Sequence, residues 1–179
     1  MRVLALDISG SGTGWAYGED HELVKWGKHI SNVKHSRGQR LYDFAQWLET
    51  LFVNHQPDVL LIEKPFLGRN SNVLANLSKF VAMAEYSAYS ALDLALENDW
   101  FIDPRTIKKL LRVKKPSGRK NTKAKHDCNK KIMVDRINEL YGLRLKYSQN
   151  RNKKYNDDDI ADAIALLHAW WLIESKEEE

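Results

Sequence analysis

The sequence has a single cysteine, Cys128, among its 179 residues. One cysteine excludes a disulfide framework and a cysteine-based zinc site, and it favours a reducing compartment. No stretch approaches the ~20 consecutive apolar residues of a membrane-spanning helix. The opening residues 1–7 become acidic too soon for a secretory signal peptide. We therefore expect a soluble, cytoplasmic protein.

The length leaves little room for more than one domain. At 20.8 kDa the chain has the size of one ordinary domain, so we expect a single domain over residues 1–179. A hydrophobic fraction of 43% is enough to build a core without cross-links. The length also argues against a two-lobed kinase or chaperone of the actin-like class, which would need a second lobe to enclose a nucleotide.

Acidic residues are scarce in one part of the chain. Residues 104–154 contain 18 Lys and Arg against 3 Asp and Glu, a local net charge of +15. The rest of the chain has 10 basic and 21 acidic residues, a net charge of −11. A solvated positive face is one explanation, but so one-sided a block is more typical of a surface that binds a polyanion.

Apolar patterning predicts a mixed α/β fold. Two continuous apolar runs, residues 3–8 and 58–63, each end near a carboxylate and predict buried strands. Turn-forming residues 9–14 predict that the second strand hairpins back on the first. Further strands are predicted at about 15–17, 23–30 and 100–103, and helices at 37–53, 71–97, 104–111, 127–141 and 157–172. This order predicts a five-stranded mixed sheet flanked by helices.

The segment 112–126 lacks apolar periodicity and is rich in Lys and Arg, which predicts a basic, mobile loop. Asp127 is expected to cap the helix that follows, and Gly142 to end it. Asp157 is expected to cap the last helix. His168, inside that helix, is expected to be a structural histidine.

Four acidic residues occupy similar positions. Asp7 and Glu63 follow buried strands, and Asp159 and Asp162 lie three residues apart in the first turn of the last helix. If the two strands are neighbours and the helix begins across their ends, the carboxylates converge. Convergent carboxylates suit Mg²⁺ or Mn²⁺, and two such ions can activate a water and stabilise the leaving oxygen in phosphodiester hydrolysis.

A purely structural explanation of these acids is that they are helix caps and strand-end surface residues. It is weakest for Asp162, which lies in an otherwise apolar run where an unpaired charge is costly. The triplet 157–159 also leaves the third acid open between Asp158 and Asp159, since Asp158 lies four residues before Asp162 on the same helical face.

Three parts of the chain resemble, in order, the motifs of the RuvC family of Holliday-junction resolvases, particularly its phage-encoded members. They are LDISG (6–10) with TGWA (13–16), IEKPFLGRN (62–70) and DIADAIA (159–165). The resemblance implies an RNase H-like fold, a homodimer, and a crossover junction endodeoxyribonuclease that nicks two strands of a four-way DNA junction symmetrically, leaving 5′-phosphates. By motif position its metal-binding catalytic acids, which hold two Mg²⁺ or Mn²⁺, are Asp7, Glu63, Asp159 and Asp162.

The resemblance also implies a lysine near the scissile phosphate, for which Lys123, Lys125 and Lys130 are candidates, and an aromatic that stacks on junction bases, at Phe66. Phe66 is equally explained as a core residue, because stacking requires an exposed ring. The long helix from Ser71 is the expected dimer face. The expected phosphate contacts are Arg69, Arg105, Lys108, Lys109, Lys114, Lys115, Arg119, Lys120, Lys123 and Lys125.

Two other functions stay open at this stage. A basic, non-catalytic module that binds branched DNA would use the acids only as caps, and it would bind without metal and without nicking. An RNase H-type nuclease acting on RNA:DNA hybrids would share the carboxylate chemistry.

Overall fold

The structure is a computed structural model that describes residues 1–65, 71–113, 122–148 and 156–177, without the side chains of 122–127 and 177. The strands are β1 Arg2–Ile8, β2 Gly12–Glu19, β3 Glu22–Ile30, β4 Val59–Glu63 and β5 Phe101–Ile102. The helices are α1 Arg37–His55, α2 Ser71–Leu92, α3 Pro104–Leu110, α4 Thr122–Tyr141 and α5 Asp158–Glu177, and a 3₁₀ turn precedes β5 at Asn98–Trp100.

The strands form one five-stranded sheet in the order β3-β2-β1-β4-β5. The first three strands pair antiparallel, and β1 pairs with β4, and β4 with β5, in parallel. The predicted mixed sheet is therefore confirmed. Parallel pairing places the carboxyl ends of β1 and β4 at the same edge of the sheet.

Helices cover both faces of the sheet. Alternate side chains of β1 enter different cores, because successive residues of a strand point to opposite faces. Val3 and Ala5 pack with residues of α3, α4 and α5, whereas Leu4 and Leu6 pack with residues of α1 and α2. Burial on both faces explains why β1 and β4 are continuous apolar runs.

Two predictions about the start of α4 are wrong: Asp127 does not cap this helix, and the basic loop before it does not extend to residue 126. The helix α4 begins at Thr122, so residues 122–126 are helical. This segment contains Lys and Ala, which favour helix, and no Gly or Pro, so it can be helical without showing an apolar period. The part of the predicted loop at 114–121 lies outside the described residues. Gly142 has φ +64° and ends α4 as predicted.

The helix α2 ends at Leu92, five residues before the predicted end at about 97. Asp93 follows with φ +54°, a left-handed conformation that stops a helix. Apolar residues Leu94 and Leu96 continue the periodic pattern but pack beside the sheet from a non-helical segment.

Across the described ranges, no helix is long and apolar enough to cross a bilayer.

Candidate functional site

The two strand-end acids lie side by side at one edge of the sheet. Leu6 of β1 is paired with Ile62 of β4, so Asp7 and Glu63 occupy the next position of each strand. Both acids are half-buried. The condition on which the convergence of these acids depended, that the two strands are neighbours, is met by this register.

The first turn of α5 packs directly against β2 beside Asp7. Gly14 of β2 is paired with Asp7, and a Cβ atom added to Gly14 would lie 1.8 Å from the carbonyl oxygen of Asp159. Only a residue without a side chain allows so close an approach. Gly14 therefore sets how near the acidic start of α5 comes to the end of β1.

Asp162 lies close enough to Glu63 for the charge of Glu63 to affect its ionisation. Burial, followed by the negative charge of Glu63, raises the pKa of Asp162 to about 7. Burial also raises the pKa of Glu63. The positive charge of Lys108 lowers this pKa, and the negative charge of Asp103 raises it further. The end of β4 and the first turn of α5 thus form one region of concentrated negative charge.

Two lysines partly offset this charge. Lys130 of α4 donates a hydrogen bond to the Asp158 carboxylate and forms an ion pair with it. Burial acts to lower the pKa of Lys130, but this bond and the charges of Asp158, Asp159 and Asp162 raise it overall. Lys108 of α3 acts on both Glu63 and Asp162. Of the three lysine candidates near the phosphate, Lys130 is the one whose side chain is described, and it contacts the acidic region.

Asp157 directly precedes α5, the position predicted for its cap. Its carboxylate accepts hydrogen bonds from Lys28 Nζ at 3.0 Å and from the Lys146 backbone N–H at 2.9 Å. Its backbone carbonyl accepts the bond from the Ala161 N–H at 2.9 Å. Asp157 therefore fastens the start of α5 to β3 and to the segment after α4.

The chemistry of the donor set fits a divalent cation. Asp7, Glu63, Asp159 and Asp162 offer carboxylate oxygens, the ligands that Mg²⁺ prefers. The raised pKa of Asp162 reflects negative charge that a cation would offset. Their side chains are not already arranged around a common point, because within the described residues no three Asp, Glu, His or Cys side chains form a ready metal site.

The structure adds one acid that sequence reasoning missed. Asp103 follows β5, is half-buried, and its charge contributes to raising the pKa of Glu63. Its side chain also accepts a hydrogen bond from the Arg105 N–H at 2.7 Å and so caps α3. The Asp-Pro pair at 103–104 signals this cap, but no local pattern indicates that β5 lies beside β4.

The expected phosphate contacts are only partly described. Arg105, Lys108 and Lys109 lie exposed on α3. Lys123 and Lys125 lie in α4, but their side chains are outside the described part. Phe66, Arg69, Lys114, Lys115, Arg119 and Lys120 lie outside the described residues altogether.

The helix α2 presents an exposed apolar face. Tyr86 and Tyr89 are 68% and 60% exposed, whereas Phe80 and Ala84 are buried on the other side of the helix. Val73, 61% exposed, lies near the start of the helix, two turns before Phe80 and on its side. An exposed aromatic stripe opposite a buried stripe is the pattern expected for a helix that meets a partner.

His168 has the structural role that was predicted for it. The Tyr141 hydroxyl lies 2.7 Å from His168 Nδ1 and joins α4 to α5. Burial, with a smaller effect of the Arg136 charge, lowers the pKa of His168.

Known proteins are similar to this chain in structure rather than in sequence. No family model and no curated protein matches it. Thermus thermophilus RuvC in complex with a Holliday junction substrate is 12% identical over 94% of this chain and 91% of the other, with a TM-score of 0.66. A second Thermus thermophilus RuvC structure is 14% identical over 98% and 97%, with a TM-score of 0.65.

The yeast mitochondrial Holliday junction resolvase Ydc2 is 15% identical over 94% of this chain and 76% of its own, with a TM-score of 0.54. These three structures come from a bacterium and from yeast, so the expected phage origin stays a prediction. Identities this low establish the fold and no more. The chain has the RNase H-like fold of RuvC-type Holliday junction resolvases.

Proposed function

We propose that this protein is a Mg²⁺-dependent, structure-selective DNA endonuclease that resolves four-way junctions by paired, symmetric nicks. The observation that carries the proposal is the burial of Asp162 close to Glu63: burial, and then the negative charge of Glu63, raise the pKa of Asp162 to about 7. A buried acid in the first turn of α5, close to a second acid at the carboxyl end of a central strand, is suited to metal binding. The RNase H-like fold supports the same interpretation.

In this proposal Asp7, Glu63, Asp159 and Asp162 hold the metal ions. Bound Mg²⁺, or Mn²⁺ in its place, would activate a water for attack on the scissile phosphate and stabilise the departing oxygen, leaving a 5′-phosphate. Gly14 keeps the first turn of α5 against β2. Lys130 and Lys108 reduce the repulsion among the acids when no metal is bound.

The proposed substrate follows from charge and symmetry. The net charge of +15 over residues 104–154 suits a polyanion, and Arg105, Lys108 and Lys109 are exposed on α3 near the acids. Two symmetric nicks require two sites related by a two-fold axis, which a homodimer supplies. The exposed face of α2 with Tyr86 and Tyr89 is the proposed dimer contact.

The proposal is tested with a panel of labelled DNA substrates. A four-way junction, a flap, a linear duplex and an RNA:DNA hybrid are incubated with the protein, with Mg²⁺ or with EDTA. The expected result is Mg²⁺-dependent nicking of the junction at symmetric positions, with 5′-phosphate ends. Preferential cleavage of the hybrid would instead assign an RNase H-type activity.

A non-catalytic module that binds branched DNA is the second candidate. It is favoured by the ion pair between Lys130 and Asp158, since a lysine that already neutralises an acid reduces the need for a metal ion. The same panel separates the two functions. Junction binding that is equal with and without Mg²⁺, together with no nicking of any substrate, would support the binding module.

A further inference from the structure

A second basic surface lies on the face of the sheet opposite α3 and α4. The run of residues 23–42 contains five Lys and Arg and no Asp or Glu, outside the basic block at 104–154. Two of the five are placed elsewhere: Lys28 pairs with Asp157 at 3.0 Å, and Lys25 lies near His55 at the far end of α1, where burial and then the Lys25 charge lower the pKa of His55. The other three, Lys34, Arg37 and Arg40, lie at the start of α1 and are called here the α1 basic patch.

Arg40 is held in a fixed orientation. Its Nε donates a hydrogen bond to Ser31 Oγ at 2.9 Å, and its guanidinium carbon lies 5.9 Å from the centre of the Phe80 ring. A guanidinium that is already hydrogen-bonded and stacked loses little further freedom when it binds an anion. Within the described residues, Arg40 forms no ion pair with an acid.

The free end of Arg40 reaches the loop that follows β1, the strand of the first acid. A Cβ atom on Gly10 would lie 3.8 Å from Arg40 Nη2, and Gly10 is three residues after Asp7. The Ser31 N–H bonds the Ser11 carbonyl at 3.2 Å and ties the start of the patch to the same loop. The patch therefore adjoins the edge of the sheet at which the acids converge.

The charges of the patch are not compensated locally. Lys34 and Arg37 are exposed and form no ion pair within the described ranges. The next acid along the chain, Asp43, accepts bonds from His35 Nδ1 at 2.8 Å and from Gln39 Nε2 at 3.4 Å. A basic patch without ion-pair partners is available to bind an anion, and the guanidinium fork of Arg40 matches the oxygens of a phosphate.

We propose that the α1 basic patch binds backbone phosphates of the DNA strand that passes over the strand-end acids, with Arg40 as its anchored phosphate ligand. This inference rests on the proposed nuclease function and deepens it. It extends the DNA interface across the sheet edge, so that a strand at the acids is held from the α1 side as well as from α3 and α4.

The test measures binding of a fluorescently labelled four-way junction by anisotropy, in EDTA, over a range of salt concentrations. Lys34→Gln with Arg37→Gln removes two charges from the patch, and Arg40→Gln removes the anchored one. Lys25→Gln with Lys176→Gln is the matched control, because it removes two charges from exposed positions away from the patch. Arg40→Lys keeps the charge and loses the fork.

Each lost phosphate contact is expected to weaken binding about five-fold at 0.15 M salt and to reduce the salt slope by about 0.9. The Lys34 and Arg37 double variant is therefore expected to lose nearly two units of slope, Arg40→Gln nearly one, and the control less than two-fold in affinity. Arg40→Lys is expected to fall between Arg40→Gln and the unaltered protein. Thermal melting identifies any variant that fails to fold, and the exposed double variant keeps the test decisive if Arg40→Gln unfolds.

The inference and the proposed function fail in different ways. If the unaltered protein binds and nicks the junction while the patch variants match the control in affinity and slope, the inference is overturned and the nuclease function stands. If the unaltered protein neither binds nor nicks the junction, the proposed function fails and the inference fails with it.

Discussion

Replacing Gly14 by alanine tests how the acidic edge is assembled. The new Cβ would stand 1.8 Å from the Asp159 carbonyl oxygen, 2.2 Å from its carbonyl carbon and 2.8 Å from the Ile160 nitrogen. All three atoms belong to backbone, so no side chain can move out of the way. To restore even a 3.0 Å separation, the first turn of α5 must retreat from β2 by more than 1 Å.

Two measurable losses follow from that displacement. Forcing an extra carbon into a packed interior costs about 1–3 kcal/mol. A shift of about 1 Å in catalytic groups reduces turnover by about 10²-fold. We expect Gly14→Ala to lower the free energy of unfolding in urea by 1–3 kcal/mol on this basis, and to lower the rate of junction nicking by about two orders of magnitude.

Gly38→Ala is the matched control. Gly38 lies in the first turn of α1, and a Cβ there would meet no atom within 4 Å. Alanine favours helix over glycine, so this variant is expected to be as stable as the unaltered protein or slightly more stable. If Gly14→Ala unfolds and nicks like Gly38→Ala, the argument that Gly14 positions the start of α5 is wrong.

Three further predictions follow from the site and its surroundings. In EDTA the folded protein should keep a proton on Asp162 between about pH 4 and pH 7, because folding raises the pKa of Asp162 from 3.8 to about 7. The unfolded chain has released this proton in the same range, so the free energy of unfolding should fall as the pH rises through it. Asp162→Asn should remove this pH dependence in urea titrations. An unchanged pH profile in Asp162→Asn would refute the assignment of the proton. Tyr141→Phe removes the hydrogen bond to His168 and should cost about 0.5–1.5 kcal/mol of stability while leaving nicking intact; a loss of activity in a folded variant would contradict its purely structural role. Tyr86→Glu with Tyr89→Glu should convert the dimer into a monomer in light-scattering measurements, and a dimer that persists would move the contact away from α2.

The sequence was sufficient for those parts of the fold in which local pattern and burial agree. β1 and β4 are continuous apolar runs because each is covered on both faces. The acid that ends each run indicates where the strands emerge, and their parallel pairing then brings Asp7 and Glu63 together. Sequence reasoning expected these two acids to converge if the two strands were neighbours, and the pairing of β1 with β4 meets that condition.

Other parts of the site depend on contacts between distant segments. The bond from Lys130 to Asp158 joins residues 28 positions apart, and no spacing rule signals it. The same holds for Asp103, whose influence on Glu63 depends on the short strand β5 pairing with β4. The early start of α4 was missed because apolar periodicity detects a helix by its apolar residues, and the sequence of residues 122–127 supplies too few of them to show a period.

Only part of the charge distribution can be recognised from the sequence. The large excess of Lys and Arg at 104–154 is visible from composition, whereas the α1 basic patch emerges only when partners are assigned. Lys28 is paired with Asp157, and Arg40 is held by Ser31 beside the loop after β1. A count along the sequence does not separate a neutralised lysine from an uncompensated arginine.

The central claim, that the strand-end acids hold metal ions for phosphodiester hydrolysis, is tested most directly by Asp7→Asn. Nicking of a four-way junction in Mg²⁺ and binding of the same junction in EDTA are measured side by side for this variant and the unaltered protein. The account predicts that the variant loses nicking while its affinity for the junction is largely unchanged. Nicking that continues at the original rate in Asp7→Asn would contradict the account.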